Sequence, residues 1–153
     1  MHRDSGSDSQ SLTPERKAAV EANVKAFMLG VAHDVTAEGP TAWRKHLADE
    51  SAFFMASEGQ LVFPNGQPEG QWIQNLTQFI RQIDLRWGDN IRVDPLTPTL
   101  AVVAAPYVEI RTDPEGHQIT ESGYFTGLAE YRDGRWQLRD AHWSVAAPAA
   151  KVP

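Results

Sequence analysis

The stretch Gly123–Ser144, GYFTGLAEYRDGRWQLRDAHWS, decides the fold. Asp133 and Gly134 tolerate the positive φ angles of a tight type I′ turn, and strand-forming residues flank them on both sides, so the stretch predicts a hairpin with a two-residue loop. That loop sets Tyr131 opposite Trp136, Ala129 opposite Leu138, Gly127 opposite Asp140, Phe125 opposite His142 and Gly123 opposite Ser144, all on one side of the pleat. This face begins apolar near the turn and ends polar. Glycines opposite Asp140 and Ser144 leave room above the strands, as the wall of a cavity requires.

The other face carries Tyr124 with Trp143 and Ser122 with Val145, so it turns apolar where the first turns polar. Two readings account for this. Either the sheet has a pocket on one side and a partner on the other, or a β-bulge near Asp140 exchanges the faces and puts Trp143 in the core. The first is the working expectation.

At 153 residues the chain suits one domain with a real core. It has no cysteine, which excludes disulfide frameworks, thiolate metal sites and cysteine nucleophiles. A net charge of -6, with no clustered Lys and Arg, argues against a nucleic-acid surface. No apolar run is long enough to span a bilayer, and MHRDSGSDSQS has no signal-peptide core, so no membrane association and a cytoplasmic location are expected.

Residues 1–12 are polar and small and read as a disordered tail; 13–147 read as the domain, and 148–153 as a second tail. Thr13 and Pro14 open a helix whose buried stripe is Val20, Val24, Phe27, Met28, Val31 and Val35. His33 and Asp34 near its end are expected to face solvent. Pro40 opens a second helix with Trp43 and Leu47 on its apolar side. His46, Asp49 and Glu50 lack the paired histidines of a helical metal motif and read as a solvated helix end, so no metal site is assigned.

Phe53–Ser57 and Leu61–Phe63 flank Glu58-Gly59 as a short hairpin, followed by turns at Pro64-Asn65-Gly66 and Pro68-Glu69-Gly70. Trp72, Leu76, Phe79, Ile80 and Ile83 mark a third helix. From Leu85 the chain is strand, broken near Gly88-Asp89-Asn90. A four-residue loop, Asp113–Gly116, would close Leu100–Arg111 onto Gln118–Arg132. It would put Leu100, Val102, Ala104, Val108 and Ile110 on the face of His142 as the apolar floor. Ala105 and Tyr107 would then join Tyr124, Trp143 and Val145 as an aromatic patch on the outer face, suited to a homodimer.

Helix, helix, short hairpin, helix, then an antiparallel meander ending in D-G-x-W-x-L-x-x-x-H-x-S resembles the nuclear-transport-factor-2-like, or SnoaL-like, superfamily, through TAWRKHLADESAFFMASEGQLVFPNG and YRDGRWQLRDAHWS. The resemblance implies an α+β fold, a curved antiparallel sheet wrapped on about three N-terminal helices into a cone, with a pocket inside and dimerisation through the outer face. It spans isomerases, dehydratases, polyketide cyclases and noncatalytic assembly domains, so it implies no single activity. Its ketosteroid isomerases use an Asp base with a Tyr and a protonated Asp. Tyr107 and Tyr124, on the outer face in this register, count against that chemistry.

The candidate catalytic pair is His142, as general acid or base, with Asp140 orienting it and Ser144 as a hydrogen-bonding neighbour. The competing structural reading has His142 donating to a backbone carbonyl and Asp140 paired with Arg139 or Arg44. Trp43, Met55, Phe63, Trp72, Phe79 and Trp87 are candidates to line the pocket, beside Phe125 and Gly127, although aromatics at these spacings also make ordinary core. No G-x-S-x-G element and no Gly-rich phosphate loop is present, and no cofactor is expected. Three functions remain: a lyase or isomerase acting through His142 and Asp140 on a small apolar or polyketide-like substrate, a noncatalytic binder of a small apolar ligand, and a dimeric assembly module with a vestigial pocket.

Overall fold

The computed structural model describes residues 11–49, 52–63 and 69–146; residues 1–10 of the first expected tail, Glu50, Ser51, the turns at 64–68 and residues 147–153 lie outside the described residues. Helix α1 spans Pro14–Glu38. The Thr13 side chain accepts from the Arg16 N–H at 3.2 Å, and Pro14 sits where its missing N–H costs nothing. The predicted stripe is buried through Val20, Val24, Met28, Val31 and Val35. Gly39, at φ 90°, ends the helix with its N–H on the Val35 carbonyl.

A 3₁₀ helix, Pro40–Lys45, stands in place of the second α-helix. Strands β1 (Phe54–Ser57) and β2 (Gln60–Phe63) form the short hairpin, with Glu58 and Gly59 both at positive φ as a tight turn requires. Helix α2 covers only Glu69–Leu76. The third helix was expected to reach Ile83, but Thr77 Oγ1 donates to the Gln74 carbonyl at 2.6 Å as the helix unwinds, and Ile83 enters strand β3 (Gln82–Trp87). Strands β4 (Arg92–Thr97), β5 (Leu100–Thr112), β6 (Gln118–Arg132) and β7 (Arg135–Val145) follow.

These strands make one curved, open sheet ordered β2-β1-β7-β6-β5-β3, with β4 also on β5, and with the helices the fold is α+β. The sheet is not wholly antiparallel, because β1 runs parallel to β7. On the free edge of β5 the partner changes from β4 to β3 at Pro106, which has no N–H to give to a ladder. Pro106 instead accepts from the Gly88 N–H at 2.8 Å, and a Cβ on Gly88 would come within 2.5 Å of its ring. Helix α1 lies across β3 and β4. It is fastened there by the Thr36 hydroxyl, which accepts from the Leu85 N–H at 3.0 Å, and by the Trp87 indole, which donates to the Met28 carbonyl at 2.7 Å.

Two one-residue departures change what the sheet presents. Asp133 and Gly134 form the predicted turn, at φ 54° and 80°, and pair Tyr131 with Trp136 and Ala129 with Leu138. Beyond that point a bulge intervenes. Leu128 pairs with Asp140, so Arg139 is the extra residue, and Phe125 then faces Trp143 while Thr126 faces His142. The bulge lies where β7 changes partner. Leu138 exchanges backbone hydrogen bonds with the segment after the 3₁₀ helix, donating to the His46 carbonyl at 2.7 Å and accepting from Ala48 at 2.8 Å, and the next pair, Asp140 with Phe54, belongs to β1.

The second departure is the β5–β6 loop, which has five residues. Asp113 holds it closed, accepting from the Glu115 and His117 N–H groups at 2.9 and 2.8 Å, and Thr112 pairs with Gln118. Tyr124 therefore pairs with Pro106 and Phe125 with Ala105.

β6 and the part of β7 up to Leu138 consequently keep the sides of the working expectation, while β5 and β7 beyond the bulge are reversed. Trp143 points inward and is buried, as the bulged alternative required; Ala105 and Tyr107 join it there beside Phe125, and the outer aromatic patch proposed for a dimer does not exist. Val145 pairs with Gly123 on the inner side, and of the five named residues only Tyr124 is outward and exposed. The outer face carries Leu100, Val102, Ala104, Val108 and Ile110. No helix among the described residues is long and apolar enough to cross a membrane.

Candidate functional site

The concave side encloses a cavity of about 320 Å³. Trp43 and Leu47 enter it from the 3₁₀ segment, Met55 and Val62 from the short hairpin, Trp72 and Leu76 from α2, and Leu138, Ala141 and Trp143 from β7. Its polar part lies on the end of the β5–β6 ladder, where Glu109, Arg111 and Glu121 line the wall, with Ser57, Glu58 and Gln60 contributed by the short hairpin. An apolar chamber with a few convergent polar groups is the usual composition of a small-molecule site.

The polar cluster follows from register. Tyr107, Glu109 and Arg111 continue the inward positions that Ala101, Val103 and Ala105 occupy further along β5, and Glu109 lies directly opposite Glu121. Two carboxylates facing each other repel. Arg111 reconciles them, donating through Nη1 to Glu109 Oε1 and through Nη2 to Glu121 Oε1, both at 3.3 Å. Tyr107 donates its hydroxyl to Glu121 Oε2 at 2.8 Å. It reaches that carboxylate because its own cross-strand partner is Gly123, which adds no side chain in between.

Burial sets the protonation of this group. Glu109 is 9% exposed, and loss of water pushes its carboxyl up to about 7; Arg111 opposes the shift and Glu121 adds to it. The Tyr107 hydroxyl is raised above the ordinary tyrosine value by burial and by the carboxylates of Glu121 and Glu109. Glu109 therefore exchanges its proton near neutral pH in a mostly apolar chamber, the property required of a general acid or base.

The residues chosen from sequence divide into two groups. Trp43, Met55 and Trp72 line the cavity. Trp87 and Phe125 lie behind its wall in the core, where Trp87 stacks on Trp143 at 6.0 Å and 10° and Phe125 lies 4.6 Å from the same ring. Phe79 is 68% exposed and does not line the cavity, since α2 ends before it. The Phe63 side chain lies outside the described residues.

Gly127 is not open. A Cβ there would meet the Asp140 carbonyl oxygen at 2.8 Å and the Phe125 ring at 2.9 Å, so this glycine permits close packing and makes no room for a ligand. A Cβ on Gly123 would clash with the Ser144 carbonyl.

His142, Asp140 and Ser144 take the outer positions of β7 beyond the bulge and do not line the cavity. His142 and Ser144 are exposed and border a shallow groove with Glu58 and Ala146. Asp140 is half-buried, and desolvation raises its carboxyl, opposed by the Leu128 N–H and Arg139. Arg139 gives its guanidinium to Glu130, at 3.1 Å. The expected catalytic pair is thus withdrawn from the chamber by one inserted residue.

Asp34 was expected in solvent, yet it meets His46 Nε2 at 2.9 Å and Lys45 at 3.4 Å. His46 packs edge-on to Phe27, and burial holds its imidazole below the usual value. This pair ties α1 to the 3₁₀ segment outside the cavity.

The Glu109 cluster is hidden in the sequence because the opposite face of β5 is the more continuously apolar one and reads as the floor. The available signal was a stripe of small apolar residues, Ala101, Val103 and Ala105, running on at the same parity into Tyr107, Glu109 and Arg111.

No protein-family model matches the chain, and no curated protein matches it in sequence. Solved structures do match in fold. A scytalone dehydratase-type protein of Novosphingobium aromaticivorans superposes with a TM-score of 0.74 at 11% identity, over 92% of this chain and 94% of the other. A nuclear-transport-factor-2-like protein of Salmonella enterica gives 0.66 at 10% identity, covering 91% and 96%. A hexachlorocyclohexane dehydrochlorinase, LinA type 2, gives 0.65 at 15% identity, covering 92% and 98%.

Proposed function

We propose that this chain, which has the nuclear-transport-factor-2-like cone fold, binds a small and largely apolar molecule in the inner cavity, with its polar end against Glu109. The observation that carries the reading is a buried carboxylate with a pKa of about 7 at one end of a chamber walled by Trp43, Trp72 and Trp143. Core packing alone gives no reason to bury it. Binding is tested by titrating a fragment panel against the protein and following the backbone and indole N–H resonances by NMR. Shifts concentrated at Trp43, Trp72 and Trp143 are expected, and shifts confined to Tyr124 and His142 on the outer face would overturn the reading.

The same carboxylate supports a catalytic version. As a lyase or isomerase the protein would move a proton through Glu109, not through His142 and Asp140, while Arg111 and Tyr107 hold Glu121 in place beside it. With a turnover substrate in hand, Glu109→Gln should abolish turnover and His142→Gln should leave it within a factor of two or so of wild type. Loss of activity in His142→Gln would return the chemistry to the outer groove.

A homodimer through the outer face remains part of the proposal, on different residues. Phe54, Val102, Val108 and Tyr124 are exposed on that side, and such surface is costly to leave in water. Val102→Lys should shift a dimer to monomer in light scattering. A wild type that is monomeric at tens of micromolar, roughly the scale at which a standard interface holds, would remove this part.

A further inference from the structure

We propose that the molecule held in the cavity is an organic amine, its ammonium group seated on the Glu109 carboxylate and its apolar part against the indole walls. This rests on the cavity reading above and narrows its ligand class. The charged lining consists of Glu58, Glu109 and Glu121 against Arg111, so among the described residues the chamber holds more carboxylate than cation.

The hydrogen bonds single out one oxygen. Both oxygens of Glu121 are occupied, by Tyr107 and Arg111, and Arg111 also takes Oε1 of Glu109. No donor among the described residues reaches Glu109 Oε2. A buried carboxylate oxygen without a donor is costly, and against the ionised form an incoming carbonyl or carboxylate would set oxygen against oxygen. An ammonium group brings up to three N–H donors and the missing positive charge.

The walls suit the same ligand. Trp43, Trp72 and Trp143 all line the cavity, and indole offers a cation the strongest attraction among the aromatic side chains. Trp43 and Trp143 meet edge-to-face at 5.8 Å and 84°, so the chamber has aromatic surface in two orientations.

Protonation gives the inference a second readout. The titratable groups around Glu109 are Arg111 and Tyr107 beside it on β5 and Glu121 across on β6; Glu58 lines the same cavity from the short hairpin, and the paired residue on β3 is Leu85. A cation selects the ionised carboxylate, so binding weakens as pH falls through 7 and Glu109 takes up its proton.

The experiment uses matched amine, alcohol and carboxylate probes on phenylethyl, indolylethyl and n-octyl frames, titrated calorimetrically into the whole protein. The amine of at least one frame should bind ten times or more tighter than its alcohol at pH 8, and its carboxylate should bind worst. Lowering the pH from 8 to 6 should weaken the amine about tenfold, following the ionised fraction of a group with this pKa, and leave the alcohol unchanged. Glu109→Gln should erase the difference between amine and alcohol. If alcohols or carboxylates bind as tightly as amines, or amine affinity ignores pH, the amine assignment is wrong and the cavity reading stands. If no probe on any frame binds, the cavity reading fails and takes this inference with it.

Discussion

Two polar groups on this sheet are built from similar residues and have opposite circumstances. Asp140 and His142 sit two residues apart on one strand, visible together in the sequence, and face outward. Glu109 and Glu121 are twelve positions apart in the chain and come face to face inside because β5 and β6 pair in one register. The first group is local, with His142 exposed and Asp140 half-buried; the second is assembled by the fold and dried by it. In this sheet, burial and a second carboxylate set against it by convergence across strands move Glu109 up to about 7.

The contrast breaks most sharply at neighbouring residues of β7. Trp143→Ala should cost about 3–5 kcal/mol in urea denaturation, the usual loss for a large aromatic removed from a core. A loss near 0.5 kcal/mol, as for a surface site, would mean that Trp143 lies outside.

Glu109 separates the clusters by pH. Its folded-state pKa of about 7 lies above the unfolded value near 4.5, so the folded chain holds the proton more tightly. The stability contributed by that proton is complete below about 4.5 and is lost as pH rises through 7, a change on the order of 3 kcal/mol over the window. Glu109→Gln, which stays neutral, should therefore be more stable than wild type by about 1–3 kcal/mol at pH 8 and gain little at pH 5. A variant less stable than wild type at pH 8 would show that the ionised carboxylate is held favourably.

Gly127→Val tests the crowded side of β6. Overpacking against the Asp140 carbonyl and the Phe125 ring should cost about 1–3 kcal/mol. An unchanged melting temperature would restore the open space that the glycine pattern suggested. The smallest effect belongs to His142→Gln, within about 0.5 kcal/mol of wild type, as for an exposed position without buried partners.

The elements were legible because each has a local cause. Thr13-Pro14, Glu58-Gly59 and Asp133-Gly134 fix a helix start and two turns by their own conformational preferences, and the stripe from Val20 to Val35 follows from helix period. The sides of the sheet were not legible, because they depend on counts of one. The Asp113–His117 loop gains its fifth residue from hydrogen bonds to the Asp113 side chain, and Arg139 is inserted where β7 passes from the 46–48 segment to β1. Each shift reverses parity. Between β5 and β7 they cancel, which is why Val102 and His142 share a face as expected; β6 keeps its expected side, and relative to it β5 and the far half of β7 exchange inside with outside.

The aromatic group around Trp143 also makes this protein its own spectroscopic probe. Trp87 lies nearly parallel to Trp143, while Trp43, Tyr107 and Phe125 surround it at fixed angles. Chromophores locked at such separations couple their excitations and produce strong near-ultraviolet circular dichroism, which vanishes when packing loosens even if secondary structure persists. Because Trp143 also borders the cavity, one unlabelled optical signal reports both the integrity of the core and the arrival of a guest beside it.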